Sequence, residues 1–276
     1  MTPEHNLSPQ ELLTFYVEAG VDCAIGEEPV NRLADDAPLP QELATEAPRV
    51  ERTLPPPAAR PAPAPTVAPP PEAAMMSARE AASTARSLDE LRALLEGFDG
   101  CALKFTASRL VFADGNPQAR LMFVGEAPGR DEDIAGLPFV GRSGQLLDRM
   151  IGAIGLDRAS VYIANIIPWR PPGNRTPTPQ ETQICLPFIR RQIELVNPDV
   201  LVCLGNPSSQ GILETKEGIM RTRGRWRDYD TGTRTIQAVP TFHPAYLLRS
   251  PSYKRMAWLD LRSIAKALEQ AQPPSS

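Results

Sequence analysis

The sequence predicts an α/β fold: a three-layer sandwich whose central, mainly parallel four-stranded sheet carries helices on both faces. Three observations predict it. Four short apolar runs, at about 120–125, 160–165, 199–204 and 235–239, have the length and composition of buried strands. Helical patterns at about 143–154, 180–195 and 253–270 separate or close these runs. The loops between them are short, and a β-α-β-α-β alternation with short loops argues for parallel strands.

Along the chain, residues 8–19 (SPQELLTFYVEA) make a short helix pattern, with Ser8 as N-cap, Glu11 three residues later, and Leu12, Leu13, Tyr16 and Val17 along one face. Residues 1–25 thus read as a short helical tail, either transiently helical or a docking peptide for a protein partner. Residues 37–73 hold 12 of the 31 prolines, so 26–86 read as a disordered, acidic Pro/Ala-rich linker. The ordered domain is expected over 87–270, opening on the capped amphipathic helix SLDELRALLEGF, with 271–276 as a disordered tail.

Charge divides the chain the same way. The overall −4 splits into −8 over residues 1–85 and +4 over 86–276, where most cations are arginine, a residue suited to bidentate phosphate contacts. The four cysteines form no CxxC pair and follow no secretory signal, so disulfides are not expected. No apolar stretch is long enough to span a bilayer, so the expectation is a cytoplasmic monomer without a membrane.

Three loops carry residues with chemistry. The first apolar run empties into Gly125-Glu126-Ala127-Pro128-Gly129, followed by Asp131, Glu132, Asp133 and Phe139. Ligands in open α/β sheets bind beyond the carboxyl ends of strands, where Glu126 could supply a base or a charge and Phe139 a stacking face. Taken alone, the loop reads rather as a tight turn with solvated acids. The second run ends at Asn165 and leads into NIIPWRPPGNRTPTP. An asparagine amide offers the acceptor and donors that a pyrimidine edge requires, or simply a turn residue; Asn174 and Arg175 carry the same two readings. The third run leads to Phe242-His243-Pro244-Ala245-Tyr246-Leu247-Leu248-Arg249. His243 is the only histidine besides His5. Leu247 and Leu248 suit a wedge inserted into a base stack or the packed first turn of a helix.

GEAPGRDED with PFVGRSGQLL, then NIIPWRPPGNRTPTP, then HPAYLLR, in this order and spacing, resemble the family 4 uracil-DNA glycosylases over roughly residues 98–265. The resemblance implies that Glu126 places the attacking water or stabilises a cationic sugar. It implies that the Ala127 backbone holds the flipped base, Glu132 crowds C5 against a thymine methyl, and Phe139 stacks on uracil. Asn165 would bond the N3/O4 edge, and His243 would donate to O2. Leu247 and Leu248 fall where the family inserts its wedge, and Arg249, Arg142 and Arg175 could hold phosphates. The implied substrate is uracil-containing DNA, and no lyase step is expected, since no lysine lies in the matched motifs.

In one respect the pattern departs. The family's [4Fe–4S] cluster takes four cysteines, and the matching positions here are read as Cys101, Lys104, Trp169 and Cys185. Lysine and tryptophan do not replace thiolates at iron, so no cluster is expected, and Trp169 is expected to fill the vacated volume. Two other readings stand beside an active uracil glycosylase: a catalytically weak DNA-binding scaffold, or a glycosylase turned to hypoxanthine or xanthine.

Overall fold

The computed structural model describes residues 71–271; the helix pattern at 8–19, the linker up to residue 70 and the tail from 272 lie outside them. In chain order the elements are α1 (Pro71–Thr84), α2 (Leu88–Gly97), β1 (Ala113–Gly115), β2 (Leu121–Gly125), α3 (Arg130–Ala135), α4 (Arg142–Gly152), β3 (Tyr162–Asn165) and α5 (Pro179–Val196). Then follow β4 (Val200–Leu204), α6 (Gly205–Leu213), α7 (Ile219–Thr222), β5 (Arg227–Asp230), β6 (Thr235–Thr241), α8 (Pro244–Arg249) and α9 (Lys254–Gln270).

The four expected strands are present and parallel, side by side as β3-β2-β4-β6. Two short antiparallel strands, β1 against β3 and β5 against β6, extend the sheet to six. Sequence reading misses both because three- and four-residue edge strands bury too little to show an apolar run. Successive side chains of a strand face opposite ways, and here the alternation divides the core in two. Met122, Val124, Leu201 and Cys203 face one cluster with the buried side of α5. Leu121, Phe123, Val200 and Val202 face a second with α4 and α9. With both faces covered, the central strands are apolar at every position.

The expected start of the domain at 87 and the reading of 26–86 as linker need correction at their C-terminal end. Residues 71–84 form α1, whose Ala74, Ala78 and Ala82, together with Ala85 beyond its end, are buried. These lie three or four apart, on one helical stripe, and small enough to let α1 lie close against α5. Arg191 on α5 secures the end of α1 by donating Nε and Nη2 to the Ala85 carbonyl (2.9 and 2.6 Å). An alanine stripe has too little apolar volume to stand out after a run of prolines. Ser87 caps α2, accepting from the Glu90 N–H at 3.2 Å.

Helix α5 runs through Pro187, although an internal proline costs about 3 kcal/mol. Its N-terminus is a capping box between Thr178 and Glu181, and it buries Ile184, Cys185, Leu186, Phe188, Ile189 and Ile193. Burial of such side chains, at about 1.5–3 kcal/mol each, outweighs the lost backbone bond.

Candidate active site at the carboxyl ends of the strands

The strand order fixes where a site can form. The chain leaves β2 for β3 on one side and leaves β4 for β6 on the other, so a crevice opens between the ends of β2 and β4, a topological switch point. Register then sets neighbours: Gly125 at the end of β2 lies opposite Asn165 at the end of β3. The Ile166 and Ile167 N–H groups donate to the Gly125 and Glu126 carbonyls (both 3.0 Å) and fasten the two loops together.

A pocket of about 340 Å³ occupies this crevice. Glu126, Ala127, Glu132, Phe139, Asn165, Asn174, Arg175, His243 and Arg249 all line it, so the three sequence motifs converge on one concavity. A larger groove, about 650 Å³, is lined by α1, α5 and β5. Its cations are mostly paired, Arg190 with Glu214 and Arg191 with Glu194, and it draws on none of the three motifs.

Asn165 is buried, and its Oδ1 accepts no hydrogen bond among the described residues. A buried acceptor without a donor is costly, roughly 1–3 kcal/mol, and among the described residues Asn206 Oδ1 is the one other buried side-chain polar atom without a partner. The pocket leaves no room for a side chain at 125. A Cβ there would lie 2.4 Å from Asn165 Oδ1 and 2.7 Å from the Phe139 ring.

Phe139 adopts a left-handed φ of 53°, unusual and strained for an aromatic residue at roughly 1–3 kcal/mol. Its ring is buried, with its centroid 5.4 Å from that of His243. Its carbonyl lies over the first turn of α4, where a Cβ on Gly144 would meet it at 1.7 Å. His243 caps α8, its Nδ1 accepting from the Ala245 N–H at 3.1 Å. Since Nδ1 accepts, the neutral ring carries its proton on Nε2. Desolvation by the surrounding protein, with a smaller push from Arg249, lowers the His243 pKa to about 4. The ring is therefore neutral at physiological pH. Gly205, at φ +85, admits the His243 Cβ at 3.0 Å from where its own would be.

The Glu126 carboxylate makes no hydrogen bond or ion pair among the described residues, and desolvation raises its pKa. Glu132 differs: its Oε1 accepts from the Val140 and Gly141 N–H groups (3.0 and 2.9 Å), and its Oε2 from Gly129 N–H (3.1 Å). Asn174 holds a left-handed φ of 54° and accepts from Arg170 Nε at 2.7 Å, a turn residue that also borders the pocket. Arg175 is bound at 2.6 and 2.9 Å by Glu181.

Arg142 and Leu248 lie on an adjoining groove that shares Glu132, Asn174 and Arg249 with the pocket. Leu247 does not join them. It is 1% exposed, within the core beside α9, whereas Leu248 is 37% exposed. The expectation that both leucines form a wedge fails for Leu247, because on α8 adjacent side chains point about 100° apart and only Leu248 is exposed.

Sequence reading misses what holds the site from behind. Arg158 donates to the Pro138 and Phe139 carbonyls. Asp260 accepts from Thr241 Oγ1 (2.7 Å) and from Arg223, tying α9 to the end of β6 just before His243. Neither lies in a motif, and only their partners distant in sequence reveal them.

With this geometry in view, the chain can be compared with known proteins. The uracil DNA glycosylase superfamily profile matches residues 112–262. A type-4 uracil-DNA glycosylase from Archaeoglobus fulgidus is 37% identical over 191 residues, 68% of this chain and 96% of the relative. The chain belongs to the type-4 uracil-DNA glycosylases. A type-4 enzyme of Thermotoga maritima is 43% identical over 168 residues, 60% of this chain and 85% of the relative. One from Saccharolobus solfataricus is 38% identical over 173 residues, 61% of this chain and 80% of the relative.

The resemblance to type-4 uracil-DNA glycosylases raises the iron–sulfur cluster, and the residues here do not fit one. Cys185 Sγ and Cys101 Sγ stand 3.9 Å apart, both buried. Lys104 points elsewhere, its ammonium donating to the Glu96 carbonyl (2.6 Å) and Asp99 (2.7 Å). The side chain three residues from Cys101 that does enter this part of the core is Phe98, packed edge-on against Phe188 at 5.0 Å between centroids. Trp169 is buried in the same cluster. Two thiols and two aromatic rings do not make a four-thiolate set. Among the described residues no three His, Cys, Asp or Glu side chains group to hold a metal, and no helix is long and apolar enough to cross a membrane.

Proposed function

We propose that this chain excises uracil from DNA with the pocket formed by Glu126, Phe139, Asn165 and His243, without a cluster. The observation that carries the reading is the bare, buried Asn165 Oδ1 in a pocket that also holds a stacking ring and a neutral imidazole. Uracil's N3–H is the donor this acceptor lacks, and its O4 is an acceptor for the same amide's NH₂. The flipped base would stack on Phe139 and rest against the Ala127 backbone, with the fixed Glu132 carboxylate as a wall that a C5 methyl would meet.

Cleaving the N-glycosidic bond sends negative charge to the base and positive charge to the sugar. The neutral His243 donates from Nε2 to O2 as that oxygen gains charge. Glu126, unpaired and partly desolvated, faces the sugar and acts on its positive charge or on the attacking water. Extracting uracil from a duplex costs a few kcal/mol, least at a mismatch. Leu248 would fill the vacated stack, while Arg249 and Arg142 hold phosphates; Arg175, already bound to Glu181, contributes less. We further propose that the chain acts as a cytoplasmic monomer, since its substrate is cellular DNA, and that residues 8–19 serve any protein partner.

Single-turnover cleavage of an oligonucleotide with one uracil, opposite guanine and as a single strand, tests the reading. The wild type should release uracil. His243→Ala and Asn165→Asp should each lose about 10²–10³ in rate, as removal of one preorganised hydrogen-bonding group does. A wild type that binds this DNA and leaves uracil in place would refute the proposal.

A further inference from the structure

Phe139 owes its position to two charged side chains on opposite sides of its backbone. Arg158, in the loop before β3, donates to the carbonyls of Pro138 and Phe139, the latter at 3.0 Å. Glu132, on α3, accepts from the next two N–H groups, Val140 and Gly141. The peptide joining Phe139 to Val140 is therefore held at its C=O by a cation and at its N–H by an anion. Charge-assisted bonds of this kind are about twice as strong as neutral ones. Arg158 is itself fixed by Asp114 on β1 and by Asp148 on α4 (2.9 Å), so the sheet edge and a helix both brace the grip. On the other side, the third bond of Glu132, to Gly129 N–H, ties the same segment to the loop that carries Glu126.

We propose that Arg158 and Glu132 form a backbone clamp that keeps Phe139 in its left-handed conformation and so sets the stacking ring against His243 and Asn165. Arg158 is a positioning residue. It borders neither the pocket nor the adjoining groove and acts on the reaction only through Phe139. The inference rests on the uracil-excision reading. It also gives Glu132 a role for both of its oxygens, independent of any contact with the base.

A structural ion pair would look similar in a stability measurement, so the test reads coupling to Phe139. Single-turnover rate and half-saturating DNA concentration are measured for wild type, Arg158→Met, Phe139→Ala and the double variant. Arg158→Met should lower the maximal rate by at least about tenfold while half-saturation stays within about threefold, since a small misplacement of a binding group costs rate without removing contacts to DNA. Arg158→Lys, which restores one donor, should recover part of the loss. In the Phe139→Ala background, Arg158→Met should change the rate by less than about twofold, because residues that act through one another are not additive. Hydrogen exchange at the Val140 and Gly141 amides should quicken in Arg158→Met and not across the sheet.

Losses that multiply in the double variant, or an Arg158→Met rate within about twofold of wild type, would overturn the clamp and leave the function standing. If Arg158→Met does not fold, Arg158→Lys against Phe139→Ala gives the same comparison. An inactive wild type would instead sink the uracil reading, and the clamp's role in it.

Discussion

At the scale of single residues, His243 carries the clearest consequence. Its pKa is lowered to about 4 by burial, against an ordinary value near 6.5. The folded protein therefore binds this proton later than the unfolded chain does. Stability is undiminished by this group above about pH 6.5 and declines as pH falls from there toward 4, where the folded ring also protonates. Uracil release should show no His243 ionisation between pH 6 and 8; as pH falls, Glu126, whose pKa is raised, protonates first, and His243 follows near 4, when Nδ1 gains a proton and can no longer accept from Ala245. Because the chain has only His5 and His243, an NMR titration read beside His243→Gln would show the shift directly. A ring titrating near 6.5 would contradict the proposed neutral donor.

Gly125 makes a second residue-scale case. A methyl group there would collide with Asn165 Oδ1 and the Phe139 ring, both in a packed site. Gly125→Ala should cost about 1–3 kcal/mol, as overpacking does, and should suppress uracil release more than its stability loss explains. A urea midpoint measured beside the rate would separate the two effects. The sequence makes this glycine visible within GEAPG, though only as a turn residue. Its contact with Asn165 comes from parallel pairing of β2 and β3, which joins residues 40 apart.

At the scale of elements, α1 is where sequence reading and structure part most. Proline-rich composition extends the expected linker to residue 86, and the alanine stripe explains why the linker ends sooner. Ala78 is fully buried on that stripe. Ala78→Asp should destabilise the domain by at least about 2 kcal/mol, because it buries a carboxylate without a partner. A free linker would tolerate the change, so a thermal midpoint equal to wild type would show that α1 does not pack in solution. The strands were legible for the opposite reason. Each is a dense apolar run whose burial on both faces demands that composition. The edge strands, half exposed and three or four residues long, leave no such mark. Element scale also decides between Leu247 and Leu248, since the sequence offers both and the rotation of α8 exposes one.

For the whole molecule, the question is what joins α5 and the 168–179 loop to the rest in the proposed cluster-free core. Trp169 lies in a core that also contains Phe98, Cys101, Cys185 and Phe188, and the Val111 N–H donates to the Pro168 carbonyl at 2.8 Å. Trp169→Ala should cost about 3–5 kcal/mol, as truncation of a buried aromatic does. Protein prepared without oxygen should contain no stoichiometric iron and lack cluster absorption. Iron at four atoms per chain would overturn the proposed cluster-free core. These measurements ask whether apolar packing performs the joining task that a metal cross-link performs elsewhere.

The sequence by itself determined the four parallel strands, the three motif-bearing loops and the departure at Trp169, because each rests on local composition or on residue identity. Glu126, Asn165 and His243 were legible for the same reason: they stand at the ends of recognisable strands, where a parallel sheet collects its loops, and Phe139 was legible within the motif that follows Glu126. Only the tertiary structure decided that Leu247 is core, that Phe98 rather than Lys104 enters the core that holds Cys101 and Cys185, and that Arg158 and Glu132 grip the Phe139 backbone. Those facts are contacts between residues 8 to 90 apart, or the direction of one side chain on a helix. Spacing along a chain fixes neither, since both follow from how the layers pack once the sheet has formed.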